Sequence, residues 1–462
     1  MRLNHNALAF TASNNLNTIN NNLTKSMERL SSGYKINKSS DAPASKAIAQ
    51  RMQAQIRGLD RAVDNSNDGI SLIQTAEGAL DEAHSVLERM RELAVKAAND
   101  TLDETDRDAI QAEIEQLQDE LDRISDTTEF NGRKLLNGEL NKKGYTDNDS
   151  LSIVEIGGDI EPGDYGIKVN SNGTQAKTNI NVVPDGSVIT REQAGIVSIN
   201  GLEINISEGM TGTEVNERIR DAAGKVGVDV DMTTGEVSTV EYGLNQYIKM
   251  DASSDELKGL LGVDGTEYNG TDASVDFGTD GGKRVGFSDT ATITADGNRI
   301  TVTDKNGFKM VYDVDPESGP VDNINVKVLS AGPMVLQIGN NEGQTFNVNI
   351  NKTTAEALEI NHINVYTHAY AIDAVDKIDA AVAKISGIRS SLGAYQNRLD
   401  HTINNLDTAN ENLTSAISRV QDTDMAEEIT EYTLQNVLSQ SALQMLTKSN
   451  ARPEGLLQLF QR

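Results

Sequence analysis

Cysteine and tryptophan are absent from the 462 residues of this chain, and aromatic residues make up only 4% of it. Without cysteine there is no disulfide and no thiolate metal site. The compartment stays open, because an exported chain can do without disulfides. Proline is scarce too. Pro162, Pro184, Pro316, Pro320 and Pro333 fall between 160 and 335, and only Pro43 and Pro453 lie outside. The flanks are therefore free to form long helices, which an interior proline would break. No apolar run is long enough to span a membrane. The opening MRLNHNALAF lacks the charged and apolar regions of a cleaved secretory signal. If the protein leaves the cell, another route is expected to carry it.

Signatures of catalysis and cofactor binding are missing as well. His5, His84, His362, His368 and His401 form no H-E-x-x-H and no i, i+4 pair. There is no G-x-x-x-x-G-K-S/T phosphate loop and no G-x-S-x-G elbow. Asp229 with Asp231, and Asp272 with Asp276 and Asp280, offer the oxygens that calcium takes, but without the twelve-residue loop spacing. They read as solvated acidic loops. No catalytic, cofactor-binding or metal residue is expected. The formal charge is −29, and residues 141–370 hold 17 Lys/Arg against 35 Asp/Glu. Such a surface argues against nucleic acid and anionic membrane as partners. Residues 1–40 carry net +4 and residues 421–462 net −3, so the two chain ends have opposite sign.

What the chain does have is helical periodicity at both ends. From 385 to 420, Ile385, Ile388, Leu392, Tyr395, Leu399, Ile403, Leu406, Leu413, Ile417 and Val420 keep a heptad seam. Such a helix is roughly 50 Å long at about 1.5 Å per residue, and its narrow stripe needs partner helices. Residues 1–33 place Leu16, Ile19, Leu23, Met27 and Leu30 at helical spacing, with Gly33 as a stop. Asp41 is read as an N-cap before Pro43. A long helix follows with Ile56, Leu59, Val63, Ile70, Ile73, Leu80 and Leu87. Glu77 and His84 on that seam read as partly exposed, register-setting positions. Thr101 to Glu104 reads as a capping box opening a third helix with Ile110, Ile114, Leu117, Leu121 and Ile124. A last helix is expected after an Asp424 N-cap, carrying Ile429, Tyr432, Leu434, Val437, Leu438, Met445 and Leu446. Pro453 should end it, leaving an apolar tip of Leu456, Leu457, Leu459 and Phe460.

Between 141 and 360 the period changes to two. Asp296 with Gly297, and Asn306 with Gly307, signal hairpin turns. Residues 196–206 read as another around Asn200 and Gly201, and 214–225 as a short helix. The expected fold is α+β: long terminal helices from both chain ends form a coiled-coil bundle, with a β-rich outer insertion. The division is 1–40 and 425–462 as terminal helices, 41–140 and 366–424 as bundle, and 141–365 as an acidic insertion of one or two subdomains. The outermost helices lack partners, so they are either disordered in the monomer or packed against other copies.

Several runs resemble bacterial flagellin: LSSGYKIN at 30–37, RGL at 57–59, NDGISLIQTAEGA at 67–79, RELAV at 91–95 and EFNGRKLLNG at 129–138. LGAYQNRL at 392–399 and DTDMAE at 422–427 do so at the other end. The resemblance covers about 1–140 and 370–462. Residues 196–230 are faintly similar to a small repeat of flagellins and hook-associated proteins. The resemblance implies a homopolymer forming the extracellular flagellar filament for swimming. Terminal helices line its core, and the seam of Leu16, Ile19, Leu23, Leu30, Ile385, Ile388, Leu392, Leu399, Ile403, Leu406, Leu413, Ile417, Leu434 and Leu438 carries self-assembly. It also implies type III export, an export chaperone on the C-terminal helices, and cap and junction proteins as partners. Some members are ligands of Toll-like receptor 5. Their contact motif falls on ERMRELAV at 88–95, which implies Arg89, Leu93 and Glu113 as contacts. Glu88 stands where a Gln is common. SDAPAS at 40–45 and the ending RPEGLLQLFQR depart from the family pattern. The rival readings are a hook–filament junction protein, and a flagellin whose insertion binds sugar or carries an enzyme.

Overall fold

The computed structural model describes residues 6–99, 101–157, 160–280, 283–305, 308–329 and 331–460. Its helices are α1 (Ala7–Ser32), α2 (Pro43–Ala97), α3 (Glu104–Thr127), α4 (Gly212–Lys225), α5 (Asp255–Leu261), α6 (His368–Gln421) and α7 (Met425–Phe460). The chain divides into two compact units. One comprises Met1–Asn67, Gln337–Thr345 and Leu399–Arg462; the other comprises Asp68–Leu336 and Phe346–Arg398. No described helix is long and apolar enough to cross a membrane.

In the first unit, α1 ends at Gly33, whose φ of 73° lets its N–H close back on the Arg29 carbonyl. The start of α2 differs from expectation. Asp41 does not cap the helix; its Oδ2 accepts the Lys38 N–H at 2.8 Å, and the helix opens on Pro43. At the turn after α1, the Lys35 N–H donates to the Gln421 carbonyl at 2.7 Å, and the Thr423 N–H to the Gly33 carbonyl at 3.0 Å. Asp424 caps α7 as expected, accepting the Ala426 N–H at 2.9 Å. Pro453 does not end α7, whose backbone continues to Phe460. Within this unit Leu59 and Ala62 of α2 pack on Leu406, with Val63, Ala409 and Leu413 at the rim. Asn65 Nδ2 donates to the Gln337 carbonyl at 2.9 Å, which seats the 337–345 loop on α2.

In the second unit, α2, α3 and α6 form the helical part. Leu72, Ile73, Leu80, Leu87, Met90, Ile114, Leu121, Ile378, Ile385 and Leu392 are all but fully buried. Arg91 pairs with Asp379 at 2.5 Å and Arg389 with Asp81 at 3.0 Å, which sets α2 and α6 antiparallel. The cap of α3 is Asp103, which accepts the Asp106 N–H; the expected box at Thr101 does not form. After α3, a hairpin pairs Glu129–Phe130 with Arg133–Lys134, and Leu135, Leu136 and Leu140 anchor the following turn in the core.

The β-rich part of this unit has two lobes, one inserted into the other. The outer frame is a sandwich of two four-stranded antiparallel sheets. One runs Ser274–Phe277, Gly163–Ser171, Val321–Val328, Gly144–Thr146; the other runs Thr292–Asp296, Arg299–Thr303, Lys309–Val314, Leu151–Ile156. They enclose Ile167, Ile300, Val302, Met310, Tyr312 and Val326. Alternation along 308–314 breaks at Val311, which is buried as Tyr312 is; beside them the register with Leu151–Ile156 shifts by one residue, at Val154. Asp296 pairs with Arg299 across the expected turn; Asn306 and Gly307 lie outside the described residues. The inner lobe, 174–270, packs α4 and α5 against a four-stranded and a three-stranded sheet. Its hairpin Gly195–Ile199 and Leu202–Ile206 turns on Asn200 (φ 48°) and Gly201 (φ 87°). Helix α4 occupies the expected place with a full capping box from Thr211 and Glu214. Helix α5 is an element the period-two reading did not anticipate.

Candidate assembly surface

Helices α1 and α7 run antiparallel and partner each other. Asn6 Nδ2 donates to the Ser449 carbonyl at 2.9 Å, Ser439 Oγ meets Asn20 Oδ1 at 3.1 Å, and Arg29 lies 3.6 Å from Glu428. The least exposed stripe of α7 is Glu428, Tyr432, Gln435, Asn436, Ser439, Ala442, Leu446 and Ser449. It is mostly polar. The apolar residues lie elsewhere: Ile429 is 52% exposed, Leu434 51%, Val437 56%, Leu443 55% and Met445 66%, and Leu438 is exposed too. On α1, Leu16, Ile19, Leu23 and Leu30 are half-buried, whereas Leu8, Phe10 and Met27 are exposed. A helix normally turns its apolar stripe inward. Here α7 turns its polar stripe to α1.

The seam of α6 behaves differently. Ile385, Leu392, Leu399 and Leu406 are buried within the chain, while Ile388, Ile403, Leu413 and Ile417 are half-buried. The heptad line of Ile385, Leu392, Leu399 and Leu406 is thus covered by the chain's own helices and opens partly at Leu413, while Ile388, Ile403 and Ile417 flank it half-buried.

Arg89 and Glu113 meet on the surface of α2 and α3. Arg89 Nη2 and Nε donate to Glu113 Oε1 at 2.8 and 3.1 Å, and Nη1 donates to Glu92 at 3.0 Å. Those bonds hold the Arg89 guanidinium above its ordinary pKa, Glu113 contributing most. Leu93 is 3% exposed and sits in the core beneath them. Sequence therefore brought together two surface residues and one buried one. His84 Nε2 lies 3.3 Å from Glu88, and Glu77 is half-buried.

The model of the bacterial flagellin N-terminal helical region matches residues 3–141, and that of the C-terminal helical region matches 375–460. A flagellin of Clostridium tyrobutyricum is 35% identical over 456 residues, covering 98% of this chain and 100% of that one. The chain belongs to the bacterial flagellins. Flagellin B of Vibrio cholerae is 32% identical over 463 residues, spanning 100% of this chain and 99% of its own, and polar flagellin A of Vibrio parahaemolyticus is 32% identical over 460. This flagellin is a structural subunit of the flagellar filament.

Its helical part holds a set of inward-facing polar residues that the apolar periodicity did not reveal. Arg107, Gln111, Gln118, Asp122 and Ser125 form one stripe of α3. Arg107 Nη1 donates to the carbonyl of Ala97 at 2.5 Å, and its other nitrogen to that of Asn99 at 3.2 Å. Gln111 donates to the Ile363 carbonyl at 3.0 Å and accepts the Val365 N–H at 3.1 Å. Gln118 donates to the Ile360 carbonyl, and Asp122 accepts the Ala355 N–H at 2.7 Å. Gln111, Gln118 and Asp122 thus clasp the turn-rich segment 355–365 that returns from the β-rich lobes. The stripe's own heptad-like spacing, beside Ile110, Ile114 and Leu121, was the available signal.

Of the acidic groups noted in the sequence, Asp231 and Asp276 accept hydrogen bonds from neighbouring polar groups. Asp231 accepts the Thr233 N–H and the Thr234 hydroxyl, which hold its carboxyl below the usual range. Asp276 accepts Asn170 Nδ2 at 2.8 Å. Among the described residues no group of three His, Cys, Asp or Glu is placed to hold a metal ion.

Proposed function

We propose that this flagellin polymerises by burying the exposed apolar residues of α7, with those of α1, against other copies of itself. The observation that carries the reading is that Ile429, Leu434, Val437, Leu438, Leu443 and Met445 are exposed although their helix already has a partner. Patches of this kind mark contact sites. The half-buried residues Ile388, Ile403, Leu413 and Ile417 are the second contact. In this reading 1–40 with 425–462 form the inner core, 41–140 with 366–424 the surrounding bundle, and 141–365 the outward, acidic face. Before export a chaperone masks the exposed apolar residues of α7. Cap and junction proteins meet the same helices. Electron microscopy of the seeded full chain beside one lacking 425–462 tests the assembly reading. Filaments are expected only from the full chain, and filaments from the truncation overturn it.

A second reading concerns Toll-like receptor 5. It is supported by the exposure and mutual engagement of Arg89 and Glu113, with Leu93 acting from beneath to hold that turn of helix in register. A receptor-binding measurement on Arg89→Ala and Glu113→Ala monomers tests it. Unchanged binding, or none in the parent, removes the reading.

A further inference from the structure

The inner lobe (174–270) joins the sandwich lobe through only two chain crossings, at 172–174 and 270–273. Two short crossings rich in glycine ordinarily make a hinge. Here they are packed and bonded on every side. Across the crossings, the Thr174 N–H donates to the Thr271 carbonyl at 2.8 Å and the Thr271 N–H to the Thr174 carbonyl at 3.2 Å. The two threonine hydroxyls meet at 2.8 Å. Asp272 stands between the lobes. Its Oδ1 accepts the Leu244 N–H of the inner lobe at 2.7 Å and the Gly297 N–H, at the sandwich's hairpin turn, at 3.0 Å. On the sandwich side, the Gly173 N–H reaches Asn298 Oδ1 at 2.7 Å, and the Ala273 N–H the Gly297 carbonyl at 2.8 Å. The glycines supply proximity, not freedom. A Cβ on Gly243, whose φ is 125°, would fall 2.7 Å from Gly297 Cα, and one on Gly270 would strike the carbonyl oxygens of Gly243 and Thr174. Backbones can approach this closely only without side chains.

We propose that this waist is a weld: Asp272 and the glycines packed about it lock the two lobes into one rigid body. The two lobes then keep one mutual orientation, beside the separate ties of Lys225 to Glu104 and Asp108 of α3. The inference stands on the waist alone and does not depend on how the chain polymerises. A carboxylate accepting two main-chain donors makes stronger bonds than a neutral group would, so Asp272 is the keystone and each glycine a clearance.

The lack of cysteine makes the test direct. Spin labels on Glu208→Cys and Glu317→Cys, exposed residues of the inner and sandwich lobes, occupy unique sites in the full-length monomer. Pulsed dipolar spectroscopy of the labelled chain should give one narrow distance peak. A broad distribution in the otherwise unaltered chain overturns the proposal. Adding Gly270→Ala should replace the peak with a broad distribution, and a peak that stays narrow refutes the role of the glycines. If that variant does not fold, Asp272→Asn, which keeps the shape and removes the charge, decides in its place. Widening supports the weld, and an unchanged peak refutes it.

Discussion

Leu434→Asp separates the stability of the single chain from the stability of the polymer. Leu434 is 51% exposed on α7. In the monomer its replacement touches little, and exposed substitutions stay within about 0.5 kcal/mol. In the proposed polymer contact the exposed half is covered. Full burial of a leucine is worth about 1.5–3 kcal/mol, so covering half contributes roughly 1 kcal/mol. Aspartate forfeits that and places an unpaired carboxylate against apolar groups, a further cost of about 3 kcal/mol. At about 1.4 kcal/mol per tenfold, the loss of some 4 kcal/mol raises the critical concentration roughly 500- to 1000-fold. Two assays are needed: circular dichroism melting of the monomer, and sedimentation of seeded polymer over a concentration series. The expected result is an unchanged melt and no pelletable polymer. A parental critical concentration would refute the placing of Leu434 in a subunit contact. A collapsed melt would refute the claim that it is free in the monomer.

Other perturbations act on the chain itself. Leu399 is fully buried, so Leu399→Ala should lower monomer stability by about 2–5 kcal/mol, and a melt within error of the parent would contradict its burial. Arg107→Met keeps the bulk but leaves the carbonyls of Ala97 and Asn99 without that donor. Denaturant unfolding should show a loss of roughly 2–4 kcal/mol. The carboxyls of Asp231, Asp251, Asp304 and Glu214 are all held below their ordinary values of 3.8 and 4.5, mainly by the hydrogen bonds they accept. Their contribution is therefore present above the ordinary values and lost as pH falls through the depressed ones. Melting should change little from about pH 7 to 5 and fall below about pH 4; a decline already complete at pH 5 would contradict these bonds.

Much of the helical framework was legible because its signals are local. A heptad seam over 385–420 leaves few options besides a long helix, and Gly33 and Asp424 act through the turn they sit in. Hairpins at Asn200 and Asp296 were legible for the same reason. The misreadings share another cause. Asp41 and Thr101 have the chemistry of caps, but which backbone N–H they face depends on a neighbouring turn. Pro453 would break a helix on propensity alone, yet the backbone of α7 continues through it. For the candidate surface, periodicity found the apolar residues of α7 but not their direction. The stripe that faces α1 is set by Glu428, Ser439 and Ser449, through contacts with residues more than 390 positions away. The stripe on α3 escaped notice because polar residues at helical spacing ordinarily mean a wet face, and only the returning segment turns it inward.

That stripe separates two properties that cores usually combine. Gln111, Gln118 and Asp122 bond to main-chain atoms of 355–365, and main-chain atoms are the same whatever the side chain. Alignment of the segment is thus fixed by amide geometry, while Ile360, Ile363 and Val365 fill space beside it. A change of volume at any of the three is a local packing defect, not a slippage of the whole segment. The path by which the chain re-enters its helical part is therefore aligned by main-chain bonds, while Asn364, which donates to the Lys225 carbonyl, and the buried side chains set how well it packs.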